Sequence, residues 1–265
     1  MKNIRGQRAY DLIGSTVIVN FPREFKTTDK KKFALNLMKE QKGIKTVLEK
    51  IGKIKGRLRK LTTKYIAGEK TKEVLYRENR CVFRFNLDST YFSPRLSNER
   101  KELANKIKKG EEVLVMFAGV APFSIVIAKN SQAKIVYSSE INKLANKYAK
   151  LNVELNKLKE RVIIIPGDSR KTTLDFYKKG KKFDVIVMPR PRLKDNFLDA
   201  AFLVSKKNTQ IYYYDFCSAN EIDKIKEKIF TEAKKAKKKI KILKIKRAGE
   251  IAPYKIRVRV DFRVL

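Results

Sequence analysis

The chain has 265 residues, enough to bury a substantial core in one large or two smaller domains. Its 64 Lys and Arg residues exceed its 28 Asp and Glu residues, and the net charge of +36 predicts a polyanionic partner, with nucleic acid ahead of an anionic membrane. The chain has two cysteines and no histidine, which excludes Cys/His zinc sites, Ser-His-Asp hydrolysis and three-cysteine iron–sulfur clusters, so we expect no metal centre.

Residues 1–90 are predicted to form a small α+β domain. Residues 15–22 have the pattern of a strand stopped by proline, and residues 30–42 have helical apolar spacing. Extended segments follow at 44–48, 57–61, 74–76 and 82–87. A mixed sheet with one or two helices is typical of the α+β class.

Residues 91–265 are predicted to form an α/β domain with a parallel sheet. A helix over 96–109 leads into an apolar strand at 113–117, and three further strands end near residues 140, 168 and 189. Helices are expected at 141–152, 195–205 and 219–239. Residues 239–246 and 256–264 alternate with period two, which predicts two antiparallel strands that complete the sheet.

Each of the four parallel strand ends carries a feature that suits a ligand. A small-residue turn at Ala118-Gly119 follows the first strand, and Glu140 ends the second about 20 residues later, where an acid suits ribose hydroxyls. Asp168 and Pro189 follow the third and fourth strands. Because the carboxyl ends of parallel strands share one edge of a sheet, we predict a site for a nucleotide-like cofactor there.

Positive charge is concentrated in residues 228–247, which hold ten Lys or Arg residues and one acid, Glu232. A solvated helix face and a track for nucleic-acid phosphates are both consistent with this run. No apolar run approaches the roughly 18 residues of a membrane span, and the amino terminus lacks an apolar signal core, so we expect a cytoplasmic protein.

Two motifs resemble those of a known family. They are Tyr-Phe-Ser-Pro-Arg-Leu-Ser-Asn-Glu-Arg at residues 91–100 and Met-Phe-Ala-Gly-Val-Ala-Pro-Phe-Ser at 116–124. The sequence resembles the archaeal tRNA (guanine-37 N1)-methyltransferases of the class I, S-adenosylmethionine-dependent type, from about Tyr10 to the carboxyl terminus. The resemblance implies a Rossmann-like class I methyltransferase domain after the small domain, with the anticodon stem-loop of tRNA as partner. We expect the family's module for the tRNA elbow to be missing and the protein to be a monomer.

The resemblance also implies catalytic roles. Glu99 would be the base that accepts the N1 proton, whereas without the resemblance it would be read as a solvated glutamate in a first helical turn. Arg59, with Arg57 as a near alternative, would contact the target base. Pro189 occupies the position of the family's base-holding asparagine. The remaining residues expected to contact substrate are Arg95, Arg100, Arg190, Pro191 and Arg192.

The cofactor S-adenosylmethionine would lie against the turn after the first strand. Glu140 would bind its ribose and Asp168 its adenine amino group, since carboxylates accept hydrogen bonds from both kinds of donor. The residues expected to line this site are Tyr91, Phe117, Ala118, Gly119, Val120, Ala121, Pro122, Glu140, Ile141, Asp168 and Ser169.

The sequence departs from the family pattern at three places. Val115 replaces an acid of the first strand, Ala121 replaces a common glycine, and Pro189-Arg190-Pro191 replaces Asn-Leu-Pro. The last change removes a side-chain amide and indicates either a decayed enzyme or altered specificity. We favour altered specificity, because Glu99, Arg59, Glu140 and Asp168 are all retained. A subgroup of the family with proline here also methylates imidazoguanosine (4-demethylwyosine) at C7. A non-catalytic tRNA-binding protein on a methyltransferase scaffold is the alternative.

Overall fold

The structure is a computed structural model that describes residues 10–52, 61–252 and 254–265. Within these residues it contains seven α-helices and thirteen strands. The helices are α1 (Thr27–Glu40), α2 (Ser97–Ala104), α3 (Pro122–Asn130), α4 (Lys143–Leu155), α5 (Ser169–Lys178), α6 (Leu198–Leu203) and α7 (Ile222–Lys235). The strands are β1 (Tyr10–Ile13), β2 (Thr16–Val19), β3 (Thr46–Lys50), β4 (Thr63–Gly68), β5 (Glu73–Glu78), β6 (Cys81–Asn86), β7 (Glu112–Met116), β8 (Ile135–Glu140), β9 (Val162–Pro166), β10 (Phe183–Met188), β11 (Ser205–Ser218), β12 (Ile240–Ala252) and β13 (Lys255–Val264).

The amino-terminal part is a four-stranded sheet in the order β1-β2-β3-β4. Strands β2 and β3 are parallel, as expected for strands joined by a crossover helix, and the other two pairs are antiparallel. The crossover helix α1 buries Ala34 and Leu37, three positions apart, against Val17 and Val47 of the sheet. A sheet with one helix packed against it confirms the α+β prediction for this part of the chain.

The hairpin β5–β6 connects the two parts of the molecule. Asn152 of α4 and Asn156, the residue that caps its carboxyl end, accept the backbone N–H groups of Arg84 and Val82 at 2.7 and 2.9 Å. Val74 of the same hairpin belongs to an apolar cluster that also includes residues of the four-stranded sheet. The domain limit near residue 90 therefore stays a prediction, because the hairpin packs against both parts of the molecule.

The carboxyl-terminal part is a seven-stranded sheet in the order β12-β13-β11-β10-β7-β8-β9. Strands β7 to β11 are parallel, and β13 is antiparallel to both β11 and β12. Helices α3 and α4 cover one face, and α6 and α7 cover the other. Parallel strands buried on both faces explain the near-continuous apolar runs, and the α/β prediction is confirmed.

Some predicted elements differ from the observed ones. The helix expected over 96–109 ends at Ala104 and follows a 3-10 turn at Pro94–Leu96. The antiparallel pair at the carboxyl terminus is confirmed, but its first strand continues to Ala252. The 14-residue strand β11 was not predicted, because polar residues 206–210 hide its start. Most of the strand expected at 57–61 lies outside the described residues. Among the described helices, none has both the length and the apolar character needed to cross a membrane.

Candidate active site

The carboxyl ends of β7, β8, β10 and β11 surround a cavity of about 840 Å³, counting its open mouth. Its position is the one at which open α/β sheets bind nucleotides. The wall is formed by Tyr91, Leu96, Phe117, Gly119, Glu140, Ile141, Asn142, Ala145, Ser169, Pro189, Arg190, Pro191, Leu193, Tyr214, Phe216 and Arg257.

The turn after β7 brings backbone to the edge of the cavity. Phe117, Gly119 and Ala121 all have positive φ angles, of 56°, 58° and 66°. Phe117 and Gly119 belong to the cavity wall, whereas Ala118, Val120, Ala121 and Pro122 of the predicted set are buried behind it. Helix α3 then begins with Pro122, whose fixed φ suits a first helical turn.

Glu140 ends β8 and is hydrogen-bonded to the turn. Its two carboxylate oxygens accept the backbone N–H groups of Gly119 at 2.8 Å and Asn142 at 2.7 Å. A carboxylate has acceptor positions for about four hydrogen bonds. Glu140 can therefore hold the turn and still accept a hydrogen bond from a ribose hydroxyl. Asn142 in turn caps α4 and donates to the carbonyl of Ser89 at 2.9 Å. This bond fixes the connector, residues 87–93 between β6 and the 3-10 turn, beside the cavity.

Asp168 and Ser169 lie at the start of α5. Ser169 belongs to the cavity wall, but Asp168 does not, and its side chain accepts the Arg170 N–H at 2.9 Å as a helix cap. Its predicted contact with an adenine amino group stays a prediction. Val115, which stands where the family has an acid, is fully buried in the sheet and outside the wall.

The donor set fits a nucleoside with an amino-acid tail such as S-adenosylmethionine. Glu140 supplies acceptors for ribose hydroxyls, and Phe117, Ile141 and Ala145 supply apolar surface for a flat base. Gly119 leaves the turn backbone open to the cavity. The methyl donor would bring a methyl group on a positively charged sulfur.

Glu99 lies behind the cavity wall rather than in it. Its side chain is only 7% exposed, so its interpretation as a solvated glutamate is wrong. Lys246 Nζ lies 2.6 Å from Glu99 Oε1, and Arg259 Nη1 lies 2.6 Å from Oε2. Tyr214, which belongs to the wall, donates its hydroxyl to Oε2 at 3.0 Å.

These contacts belong to a buried charge network that the sequence reasoning missed. Arg259 also pairs with Glu102 and Asp261, each at 2.6 Å. Burial alone would raise the pKa of Glu102, but hydrogen bonds from Arg259 and Lys246 outweigh it and hold the pKa at about 2. The available signal was the alternation of charged and apolar residues along β13, which places Arg259 and Asp261 on one face of the strand.

The other predicted arginines have different environments. Arg95 is exposed and pairs with Asp11 at 2.9 Å. Arg100 was expected to contact substrate, but it is 1% exposed, and its Nη2 donates to Glu78 at 2.6 Å and to the Ser93 carbonyl at 3.0 Å. This guanidinium anchors the connector and does not reach the cavity. Arg192 is exposed, and Arg57 and Arg59 lie outside the described residues.

Arg190 gives the Pro189-Arg190-Pro191 segment its shape. Its Nη2 pairs with Asp215 at 2.5 Å, and its Nη1 donates to the carbonyls of Leu193 and Asp195 at 3.2 and 3.0 Å. The bonds hold the two prolines in the cavity wall, so this wall presents pyrrolidine rings where the family has an amide.

A second, wider groove adjoins the cavity and shares Tyr91 and Arg257 with it. It encloses about 1640 Å³, counting its open side. Residues of the small sheet, such as Ile13, form one side, and residues 248–251 of β12 form the other. A ligand too large for the cavity would reach it through this groove.

Two family models match the chain. The TRM5/TYW2 methyltransferase domain matches residues 74–243, and the TYW2 N-terminal domain matches residues 4–71. Together they extend over both parts of the fold described above.

The chain is similar to several archaeal proteins. It is 33% identical to tRNA (guanine(37)-N(1))-methyltransferase Trm5b of Pyrococcus abyssi, over 97% of this chain and 74% of that protein. The crystal structure of that Trm5b superposes with a TM-score of 0.85 at 34% identity, covering 97% of this chain and 75% of the other. It is 30% identical to tRNA (guanine(37)-N(1))/4-demethylwyosine(37)-methyltransferase Taw22 of Nanoarchaeum equitans, over 97% of this chain and all of that protein. The M. jannaschii TYW2 structure in complex with AdoMet superposes with a TM-score of 0.71 at 25% identity, over 96% and 98% of the two chains.

Proposed function

Since the chain belongs to the TRM5/TYW2 methyltransferase family, an S-adenosylmethionine-dependent family, we propose that it transfers a methyl group to N1 of guanosine 37 in tRNA. The observation that carries this proposal is the placement of Tyr214 in the wall of the cofactor cavity with its hydroxyl on Glu99. This arrangement links a carboxylate to the place where a methyl donor and a base would meet.

The reaction requires removal of a proton, because guanine N1 carries one at neutral pH. Glu99 is the acceptor of that proton in this proposal, and Lys246 and Arg259 hold its carboxylate in place. Arg59 would steady O6 as negative charge develops there. Glu140 and Asp168 would orient the cofactor through its ribose and its adenine amino group.

The anticodon stem-loop is the proposed partner, and the groove beside the cavity is its proposed entry. Strand β12 forms one side of this groove and is the edge strand of the large sheet. The structure divides the basic run 228–247: Lys228 and Lys246 pair with buried carboxylates, while seven of its other cations are exposed. These seven are Lys234, Lys235, Lys237, Lys239, Lys241, Lys244 and Arg247. They would bind phosphates without reading sequence.

C7 of 4-demethylwyosine is a second candidate target. Two prolines line the cavity where a side-chain amide would hold guanine, and they leave a less polar wall. The similarity to Taw22, whose name gives both substrates, supports the same extension. The tricyclic base is larger than guanine, and a wall without an amide would accommodate it.

The test is methyl transfer from labelled S-adenosylmethionine to unmodified tRNA transcripts that differ only in G37 or A37, with nucleoside mapping of the product. We expect label as 1-methylguanosine in the G37 transcript and none in the A37 transcript. A parallel reaction with tRNA carrying 4-demethylwyosine tests the second target. Tight binding of all three tRNAs without any label would favour the non-catalytic tRNA-binding alternative.

A further inference from the structure

The base proposed for the reaction does not line the cavity in which the reaction would occur. Three side chains bind the Glu99 carboxylate within the described residues, and these are Tyr214, Arg259 and Lys246. Tyr214 alone among them belongs to the cavity wall. A proton that leaves a base in the cavity therefore meets Tyr214 before it meets Glu99.

We propose that Tyr214 is a catalytic residue that relays the proton from guanine N1 to Glu99. This inference rests on the proposed function and deepens it. As the N1–methyl bond forms and the methyl–sulfur bond breaks, the N1 proton passes to Tyr214 Oη. The hydroxyl proton of Tyr214 passes in the same step to Glu99 Oε2. The electron pair of the broken bond stays on sulfur, which becomes neutral, and Glu99 ends as a carboxylic acid.

The hydrogen-bonding geometry of Tyr214 suits this role. A phenol has one donor and two acceptor positions, and the donor already points at Glu99 at 3.0 Å. Arg259 also interacts with the Tyr214 hydroxyl, and the second acceptor position of the phenol oxygen remains for the N1–H group. The hydroxyl is thus connected to the final acceptor before substrate binds.

The surroundings of Tyr214 exclude a deprotonated tyrosinate as the general base. Burial, followed by the charge of Glu99, raises the pKa of Tyr214 well above its ordinary value. The phenol is therefore neutral at physiological pH and accepts a proton only if it gives up its own at the same time. The Glu99 carboxylate that takes that proton is held by Arg259 and Lys246, while Glu102, Asp261 and Lys106 complete the charges around it.

The experiment uses the full chain, labelled S-adenosylmethionine and the G37 tRNA transcript in single turnover with enzyme in excess. We expect Tyr214→Phe to slow methyl transfer by roughly 10²- to 10⁴-fold while the dissociation constant for S-adenosylmethionine stays within about twofold. Tyr212→Phe is the matched control, because Tyr212 lies two residues earlier on the same face and lines a cleft at the opposite end of the sheet. Its rate should stay within about threefold of the unchanged protein.

A proton inventory separates a relay from a tyrosine that only orients Glu99. The single-turnover rate of the unchanged protein is measured across mixtures of H₂O and D₂O. Two protons in flight give a bowed dependence on deuterium fraction, and one proton gives a straight line. A straight line overturns the relay, as does a Tyr214→Phe rate equal to that of the unchanged protein. Absence of transfer by the unchanged protein would overturn the proposed function, and the relay with it.

Discussion

Arg259 and Glu99 are 160 positions apart in the chain, and their side chains meet at 2.6 Å in the interior of the protein. The guanidinium is fully buried on β13 and bonds three carboxylates, those of Glu99, Glu102 and Asp261. Burial alone would lower the pKa of Arg259, but the hydrogen bonds to Asp261 and Glu102 raise it. Arg259 is therefore a permanent charge that fixes the position of the proposed base.

The first prediction concerns the charge of Glu99. Glu99→Gln keeps the size of the side chain but removes its capacity to accept a proton. We expect methyl transfer to fall by roughly 10²- to 10⁴-fold, with binding of S-adenosylmethionine retained, as measured by single-turnover assay and calorimetry. Undiminished turnover would refute Glu99 as the proton acceptor.

Glu99→Ala should behave differently from the isosteric change. It leaves Arg259 and Lys246 with an empty space in place of a buried carboxylate. Loss of one partner of a buried pair costs about 3–5 kcal/mol, so we expect a lower free energy of unfolding as well as lost activity. Urea unfolding of the two variants separates the chemical effect from the structural one.

Glu102 should make stability depend on acid pH. Its pKa in the folded protein is about 2, below its ordinary value of 4.5, so its ionisation stabilises the fold above about pH 4.5. That contribution is lost as the pH falls from about 4.5 towards 2. The shift corresponds to about 3 kcal/mol, and screening at a partly exposed side chain reduces this to about 1–2 kcal/mol.

Glu102→Gln tests this dependence. Urea unfolding of the variant and the unchanged protein is compared at pH 7 and in steps down to about pH 2.5. We expect the variant to be less stable at pH 7 and the difference to shrink as the pH falls. A difference that stays constant across this range would contradict the assignment.

Ala121 permits a comparison of opposing small terms. Its φ of 66° costs about 1–2 kcal/mol relative to glycine, whereas its buried methyl group contributes about 0.8 kcal/mol. Replacement by glycine would also destabilise the fold by about 0.4–1 kcal/mol, because glycine increases the conformational entropy of the unfolded chain. Because these terms nearly cancel, we expect Ala121→Gly to change the free energy of unfolding by less than about 1 kcal/mol.

The matched change at this position is Ala121→Val, in which a branched side chain meets the same positive φ. We expect it to lower the melting temperature clearly and to weaken binding of S-adenosylmethionine, because the turn supports the cavity edge. Equal melting temperatures for the glycine and valine variants would show that the turn is not constrained.

Glu140→Gln should weaken cofactor binding. Hydrogen bonds to a charged acceptor contribute about 1.5–3 kcal/mol, so we expect the dissociation constant for S-adenosylmethionine to rise by roughly 10- to 100-fold. Glu154→Gln is the control, since Glu154 lies on α4 and pairs with Lys159 at the surface. Isothermal titration calorimetry measures the affinity of both variants for S-adenosylmethionine. Equal affinities would show that Glu140 does not bind the cofactor.

Much of the fold followed from the sequence because its signals are local. Apolar runs such as Val113 to Met116 mark strands buried on both faces, and the alternation in 256–264 marks a strand with two distinct faces. Strand β11 was missed for a local reason as well. Residues 206–208 near its start are polar and exposed, and period-two alternation is absent from its buried part.

The sequence by itself also predicted that the ends of the parallel strands would share one edge, and Gly119, Glu140 and Ser169 do line one cavity there. Only the tertiary structure decided that Glu99 is buried, that Tyr214 connects it to the cavity and that Arg100 pairs with Glu78. Hydrophobic periodicity reports which face of an element is covered. It does not report which distant charge lies opposite, and a buried charge is tolerated only when folding brings a partner to it.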